Sequence, residues 1–337
     1  MTAIAARTPE FEASIAEPPR ALTRRIDWTG LWFRIVESEG EFIGMRGGQR
    51  AEDGRIDWVF PSHAEYDGLG GFVHVLRKAH VGREFKVPAR QSRMPSLGKR
   101  LGAVIQMCLR TPTPAAAWRG YDANWTGYRT KAGNEFATQF FGAATTRRME
   151  AKARAQGVSL NGLLMHTLAV ATEPELEAGP RIWMMPVNLR GPVQLDRDTA
   201  NQSGYLQLEI SADATPGCVQ EQIKLALRRR DHWASWTFLN LSQIIGLSGI
   251  GQVFKLQMAR FQNRPFVGSF SNLGAWKGVG QWCVCPLVTK TSPVGVGAIV
   301  CDGRLALIVE AHASIKREAG WTQTVMDRWA ALLQSKD

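Results

Sequence analysis

The stretch from Arg55 to Ala79 constrains the fold of this chain most, because it predicts a strand, a sharp turn and a helix in one short segment. The apolar run Ile56–Phe60 is typical of a buried strand, and the apolar residues from Phe72 to Leu76 favour a helix packed on one side. Pro61-Ser62 ends the strand, and His63-Ala64-Glu65-Tyr66-Asp67-Gly68 forms the turn. A histidine on such a turn has a fixed direction because both flanking elements are anchored in a core. Asp67 lies near the helix start, where a carboxylate is stabilised by the helix dipole, and Gly68 permits close backbone approach.

Length and composition indicate a globular protein with two subdomains. The chain has 337 residues, of which 45% are hydrophobic and 21% charged, and its formal net charge is +11. A basic surface of this kind attracts nucleic acid, anionic membranes, acidic carrier proteins or the phosphates of coenzyme A. Solvated helix faces are the alternative explanation for the clusters Arg147-Arg148 and Arg228-Arg229-Arg230. Zinc-finger, helix-turn-helix and RNA-binding signatures are missing, so we expect no nucleic-acid partner.

The cysteines and the terminal segment predict a cytoplasmic protein. Residues 1–25 show little periodicity and are predicted to be a flexible leader without the pattern of a signal peptide. No run of 18 apolar residues occurs, so we predict no membrane-spanning helix. The five cysteines have no metal-binding spacing, and their odd number favours reduced thiols and no metal site.

Periodicity divides the rest into an N-terminal subdomain (residues 26–140) and a C-terminal subdomain (141–337). Between Asp27 and Ile43, short apolar bursts predict two strands with a turn near Glu39-Gly40. The apolar spacing from Leu97 to about Arg110 predicts a helix. The second half predicts helices over 145–156, 159–170, 216–230, 238–261 with glycine interruptions, and 318–333, and strands over 181–187, 205–210, 266–270, 282–289, 294–301 and 304–311. Asp302-Gly303 between the last two strands is a strong hairpin signal.

These motifs together resemble the chloramphenicol-acetyltransferase-like superfamily, which includes peptide-synthetase condensation domains, BAHD acyltransferases and polyketide-associated acyltransferases. The turn from His63 to Gly68 is similar to its His-x-x-x-Asp-Gly motif. Gly157-Val158-Ser159-Leu160-Asn161, the strand ending in Pro186-Val187-Asn188-Leu189-Arg190, and Ser271-Asn272-Leu273-Gly274 resemble further motifs in the same order. The resemblance covers about residues 55–80 and 135–335. It implies an α/β fold of two such subdomains, each a mixed sheet with helices, and an active-site tunnel at their interface.

The resemblance also implies a chemistry. A neutral imidazole, here His63, removes a proton from an acceptor hydroxyl or amine, which attacks an acyl thioester on coenzyme A or on a carrier-protein pantetheine. Asp67 is expected to be a scaffold residue paired with Arg190; two unrelated surface charges are the alternative. Ser271 and Asn272 orient the oxyanion or only shape a tight strand exit, and the structural role is favoured for Asn272. A buried histidine satisfied by backbone is the alternative for His63.

Three features depart from the family pattern. Many condensation domains have two adjacent histidines, and Ser62 stands in place of the first; BAHD acyltransferases also have a single histidine there. Gly204-Tyr205 replaces a Gly-Asn pair, and the 62 residues before His63 are about half the usual length.

We therefore predict an acyltransferase. It has no permanently bound cofactor, an acyl-CoA or acyl-phosphopantetheine carrier as co-substrate, and a small alcohol or amine as acceptor. The alternative is a non-catalytic condensation-like domain that binds an acyl chain or a carrier protein. Peripheral contact with an anionic membrane is a further hypothesis, based on charge alone.

Overall fold

The computed structural model describes residues 26–38, 42–90, 93–110, 113–125, 134–286 and 288–335. The predicted flexible leader, residues 1–25, and the predicted turn at Glu39-Gly40 lie outside these residues. The described helices are α1 (Trp28–Ser38), α2 (Gly68–Ala79), α3 (Leu97–Leu109), α4 (Ala143–Ala155), α5 (Leu160–Thr172), α6 (Pro216–Arg228), α7 (Asp231–Asn240), α8 (Ser242–Arg260) and α9 (Trp321–Gln334). The described strands are β1 (Met45–Arg50), β2 (Ile56–Val59), β3 (Glu135–Phe140), β4 (Ile182–Asn188), β5 (Ser203–Glu209), β6 (Gly268–Trp276), β7 (Gln281–Pro286), β8 (Val294–Cys301) and β9 (Arg304–Ala311).

The described strands form two sheets, as expected for an α/β fold. The larger sheet has the order β3-β9-β8-β6-β4-β5 and is mixed, because β6 runs parallel to both β4 and β8. The smaller sheet has the order β2-β1-β7 and is antiparallel throughout. The expectation of a mixed sheet in each half is therefore wrong for the smaller one, in which both strand pairs are antiparallel. β3 belongs to the larger sheet and β7 to the smaller one, and the subdomain boundary between residues 140 and 141 stays a prediction.

The two sheets meet where β7 packs against β8. Gly295 and Gly297 make this contact possible, because a Cβ atom on Gly297 would lie 1.7 Å from the carbonyl oxygen of Val284. A Cβ atom on Gly295 would likewise lie 2.2 Å from the carbonyl oxygen of Pro286. The alternating glycines of β8 thus bring one backbone against another, as glycine does where two chains approach closely.

Helices on one side of the larger sheet form the main hydrophobic core. The helix α5 is apolar around most of its circumference and packs against α9, which is why its residues Leu164, Met165 and Leu168 are fully buried. Its first turn is capped by Ser159, whose Oγ accepts a hydrogen bond from the Gly162 amide at 3.2 Å. A second core lies beneath α2, between that helix and the smaller sheet.

Within the segment from Asp27 to Ile43, where two strands were predicted, residues Trp28–Ser38 form the helix α1. Asp27 caps α1 through a 2.8 Å hydrogen bond from the Gly30 amide to its Oδ1. The apolar bursts at Trp32-Phe33 and Ile35-Val36 recur at the three- to four-residue spacing of a helix face. The strand prediction was wrong because it weighted the β-propensity of these residues above their spacing.

Two further segments refine the predictions. The region 238–261 contains the end of α7 and all of α8. Of the interruptions expected at Gly246, Gly249 and Gly251, only the one at Gly246 occurs, where φ is 71° and lies in the left-handed region. Ser271 and Asn272 lie inside β6, before a register shift between Asn272 and Ala275, where the sequence predicted a turn. Across the described ranges, no helix combines the length and apolarity needed to cross a bilayer.

Candidate active site

His63 lies in the loop between β2 and α2 and is held from its backbone and from its ring. Its amide donates a 2.8 Å hydrogen bond to the carbonyl of Ile43. Its Nδ1 lies 2.7 Å from the carbonyl oxygen of Tyr66. Because a carbonyl oxygen only accepts, Nδ1 carries the proton in this tautomer and Nε2 keeps its lone pair. The ring is therefore oriented as a base that acts through Nε2.

The surroundings of the His63 ring keep it neutral. Burial lowers the pKa of His63 from its ordinary value of 6.5, against smaller opposing effects from the Tyr66 carbonyl and from the charges of Asp67 and Glu37. The ring stacks on Phe33 of α1, with 5.2 Å between the centroids and an interplanar angle of 25°. At pH 7 the imidazole is thus in the form that can accept a proton.

Asp67 and Arg190 form a buried ion pair between segments that are far apart in the sequence. Arg190 Nη1 lies 2.7 Å from Asp67 Oδ2, and Arg190 Nη2 lies 2.9 Å from Asp67 Oδ1, which is a bidentate arrangement. Both side chains are 4% exposed. The alternative of two unrelated surface charges is therefore wrong.

Each member of this pair has further partners. Asp67 caps α2 by accepting a 2.8 Å hydrogen bond from the Gly70 amide, and it accepts another at 2.9 Å from the Gln202 amide. Arg190 donates to the carbonyl oxygens of Asp198 and Ala200 at 2.6 and 2.8 Å. The pair thus joins the start of α2 to the loop between β4 and β5. Because both carboxylate oxygens are occupied, Asp67 is placed to hold structure rather than to move a proton.

The remaining predicted site residues lie around the start of α2 and the middle of β6. A Cβ atom on Gly68 would lie 3.8 Å from Ser271 Oγ, so the motif turn and β6 are neighbours. Asn272 uses both ends of its amide: Nδ2 donates to Asn161 Oδ1 at 2.5 Å, and Oδ1 accepts from the Gly274 amide at 2.8 Å. Asn272 therefore ties β6 to the start of α5, and the Ser271 hydroxyl is the better placed of the two for a ligand.

Ser62 occupies the place of the first family histidine and is engaged in a local contact. Its Oγ donates a 2.6 Å hydrogen bond to Glu37 Oε1 of α1 and accepts one at 3.0 Å from the Ala64 amide. This serine joins α1 to the motif turn.

A single large cavity of about 1670 Å³ contains all six predicted site residues in its wall: His63, Asp67, Gly68, Arg190, Ser271 and Asn272. One part of the wall is apolar and includes Trp32 and Phe33 of α1, Trp236 of α7, and Phe254 and Met258 of α8. Trp32 and Phe254 contact each other edge to face, with centroids 5.1 Å apart. Helices α1 and α8 therefore contact each other and both contribute to the apolar part of the wall.

Three residues of the site were missed by the sequence. Asn201 is buried and lines the cavity, and its Nδ2 donates to the carbonyl oxygen of His63, while its amide donates to Asp27 Oδ2 at 3.2 Å. Burial raises the pKa of Asp27, and it raises the pKa of Tyr205, another lining residue, to about 12. Only the polar run Thr199–Gln202 after the arginine strand hinted at such a contact.

The other histidines lie away from the cavity wall. His74, His80, His166, His232 and His312 are absent from its lining. His74 stacks on Tyr66 with centroids 4.5 Å apart. Of the tryptophans considered for an acyl channel, Trp236 lines the cavity, and Trp233 is buried in a small cluster with Leu189 and Val193.

Comparison with known proteins identifies the fold. No protein-family model matches the chain, and no curated protein matches its sequence. Two crystal forms of the EpoB NRPS cyclization-docking bidomain from Sorangium cellulosum are similar in structure, with TM-scores of 0.54 and 0.55 and 11% identity. The matches cover 82% and 83% of this chain and, in both crystal forms, 59% of the bidomain. The chain therefore spans less than two thirds of the length of the bidomain. Polyketide synthase associated protein 5 from Mycobacterium tuberculosis is 14% identical over 86% of this chain and 75% of its own, with a TM-score of 0.48.

The chain therefore has the chloramphenicol-acetyltransferase-like α/β fold that its motifs predicted.

Proposed function

We propose that the protein is an acyltransferase that moves an acyl group from a thioester to a hydroxyl or amine, with His63 as the general base. The observation that carries the proposal is the hydrogen bond from His63 Nδ1 to the Tyr66 carbonyl, which leaves the Nε2 lone pair on a ring that lines the cavity. The thioester is that of coenzyme A or of a carrier-protein pantetheine.

The reaction starts with the acceptor in the cavity beside His63. Nε2 takes the proton of the hydroxyl or amine as its oxygen or nitrogen attacks the thioester carbonyl, and the carbonyl oxygen becomes an oxyanion. The hydroxyl of Ser271, in the wall near Gly68, is our proposed donor to that oxyanion. When the intermediate collapses, the carbon–sulfur bond breaks and the thiolate takes the proton from the imidazolium. The products are the acylated acceptor and the free thiol, and His63 is neutral again.

The Asp67–Arg190 pair has a positioning role in this proposal. Asp67 caps α2 immediately after the turn that carries His63, so a shift of its carboxylate would move the turn. Asn201 holds the same turn through the His63 carbonyl. Reactions of this kind lose rate steeply when the reacting groups are displaced by about 1 Å.

The size of the cavity supports a reaction with two substrates. Sites for a single small molecule typically enclose about 300–1,000 Å³, and the cavity here is about 1670 Å³. It can therefore hold a pantetheine arm, an acyl chain and an acceptor at the same time. The apolar wall of α1 and α8 favours hydrocarbon rather than sugar or nucleotide in that part.

Mass-spectrometric screening with a panel of acyl thioesters and alcohol or amine acceptors tests the proposal, with His63→Ala as the matched blank. We expect acylated acceptor from the wild type, a loss of about 10²–10⁴-fold in the variant, and unchanged thioester binding. Thioester binding without product, in both proteins alike, would instead support the alternative function of a non-catalytic domain that holds an acyl chain or a carrier.

A further inference from the structure

Exposed apolar and basic side chains lie at the opening of the cavity, together with neutral polar ones such as Gln252 and Asn263. Residues that line the cavity and are also exposed mark where it meets solvent, and these include Arg110 after α3, Leu225 and Arg229 at the end of α6, and Lys255 of α8. Two more exposed leucines adjoin them: Leu109 is 77% exposed and Leu256 is 68% exposed. We call these six residues the rim.

Exposed apolar side chains are concentrated on the helices of the rim. Among the large apolar side chains that are exposed in the described residues, only Ile26 and Val81 lie outside α3, α6 and α8. The other seven are Leu97, Ile105 and Leu109 on α3, Leu225 on α6, and Ile244, Ile245 and Leu256 on α8. Scattered exposed leucines need no explanation, but a concentration around one opening is typical of a surface that is covered in use.

Two of these three helices, α3 and α8, carry no acidic residue, whereas α6 carries one, Glu221, which pairs with Lys224 and Arg228 of the same helix. No aspartate or glutamate occurs from Phe85 to Tyr121, which includes α3, or from His232 to Cys301, which includes α8. At the rim, Arg110 and Arg229 share one carboxylate, that of Asp231, at 2.9 and 3.3 Å. Glu209 is the exposed acidic residue that also lines the cavity there. With Lys255 the cations outnumber the carboxylates, so the rim attracts an anionic surface.

We propose that the rim docks on an anionic lipid bilayer and that one substrate enters the cavity from that bilayer as a membrane-resident amphiphile. A bilayer offers both complements at once, since its headgroup phosphates meet the arginines and lysine while its acyl region receives the leucines. A second copy of the chain would bring the same positive charge to the interface. An acidic protein would match the cations, but it would also need apolar side chains on the same face to cover Leu109, Leu225 and Leu256.

The apolar wall of the cavity continues from this surface inward. Phe254 and Met258 line the cavity on the helix whose Lys255 and Leu256 face outward. In this proposal a hydrocarbon chain passes from the bilayer along the apolar side chains of α8 toward His63, and the polar Ser248 and Gln252 of the same helix also line the cavity. This route rests on the proposed function, whereas docking itself does not need catalysis.

Flotation with lipid vesicles tests the inference on the whole chain. We expect binding to phosphatidylcholine vesicles that contain phosphatidylglycerol, weaker binding to phosphatidylcholine alone, and loss of the difference at high ionic strength. The double variant Leu109→Ser/Leu256→Ser should bind about tenfold more weakly, and Lys255→Glu about fivefold more weakly. Val81→Ser, an exposed apolar residue away from the rim, and Arg55→Glu, on the β1–β2 turn, are the matched controls and should bind as the wild type does.

Several outcomes would overturn the inference. The first is an absence of vesicle binding at low ionic strength, and the second is equal vesicle binding by the double variant and the wild type. The third is a protein that binds no vesicles but forms a dimer, or a complex with an acidic carrier protein, that the double variant no longer forms. All the substituted leucines are exposed, and thermal unfolding checks that each variant is folded. A protein that binds vesicles but transfers no acyl group would refute the proposed function alone, and an active protein that ignores vesicles would refute only this inference.

Discussion

Replacing Asp67 by alanine would remove four interactions from the interior at once: the two from Arg190, the helix cap on Gly70, and the hydrogen bond from the Gln202 amide. Loss of one partner of a buried ion pair typically costs about 3–5 kcal/mol, because the remaining charge is left in a medium of low polarity. Loss of a helix cap adds about 1 kcal/mol. The Arg190 guanidinium keeps the carbonyl of Ala200, which reduces the penalty. We therefore expect the free energy of unfolding to fall by about 4 kcal/mol.

Urea unfolding monitored by tryptophan fluorescence measures this difference, provided that the dependence on urea concentration stays the same. Asp57→Ala is the matched control, because Asp57 pairs with Arg55 at 2.8 Å on the surface, where both side chains are more than half exposed. That pair should contribute less than about 1 kcal/mol. A total stability of about 5–15 kcal/mol is usual for a domain, so Asp67→Ala can fail to fold. Asp67→Asn keeps an acceptor for the cap and loses the charge, with an expected decrease of about 2–3 kcal/mol.

If the free energies of unfolding of Asp67→Ala and Asp57→Ala differed by less than about 1 kcal/mol, the ion pair between Asp67 and Arg190 would not stabilise the fold as a buried pair does. A double variant that also replaces Arg190 measures the coupling directly. Its loss of unfolding free energy should be smaller than the sum of the losses in the two single variants, because no unpaired charge remains.

The remaining predictions concern pH and the polar groups of the cavity. Because burial lowers the pKa of His63, kcat/KM should rise with an apparent pKa below about 6.5 and be level through pH 7; a pH-rate profile that still rises above pH 7 would contradict this. Burial lowers the pKa of His232 to about 4, so the folded state binds fewer protons than the unfolded state between pH 7 and pH 5. The free energy of unfolding should therefore fall by about 1–2 kcal/mol over this range. Urea unfolding at both pH values measures the decrease, which should be smaller in His232→Gln. Asn201→Ala should lower kcat about tenfold or more without weakening thioester binding, since only the His63 turn is released; equal loss in binding would indicate general unfolding. Ser271→Ala should lower kcat about 10²–10³-fold, whereas Asn272→Ala should lower the unfolding free energy by about 1–2 kcal/mol with little effect on kcat.

Local signals in the sequence predicted the fold well where periodicity was clear. The hairpin at Asp302-Gly303, the cap at Ser159 and the break at Gly246 each follow from the conformational preferences of one or two residues. The segment before Ile43 was mispredicted because aromatic and β-branched residues suit both a strand and a helix face. There, the cap by Asp27 and packing on the motif turn decide for the helix.

The sequence predicted only some of the long-range contacts of the site. The pairing of Asp67 with Arg190 was expected through family resemblance, since nothing in the composition relates residues 123 positions apart. The hydrogen bond of Asn201 to the His63 turn was missed because it depends on how a loop after β4 folds back. The contact of β7 with β8 requires residues without a Cβ atom at positions 295 and 297. This requirement is recognised only when the position of the opposing backbone is known.

The rate of acyl transfer in His63→Gln, compared with the wild type at saturating thioester, shows whether His63 acts as the general base. Glutamine keeps a polar side chain of similar length but cannot accept the proton of the acceptor at pH 7. We expect a rate lower by about 10²–10⁴-fold, with an unchanged thioester affinity and an unchanged free energy of unfolding. Transfer at the wild-type rate in this variant would contradict that role.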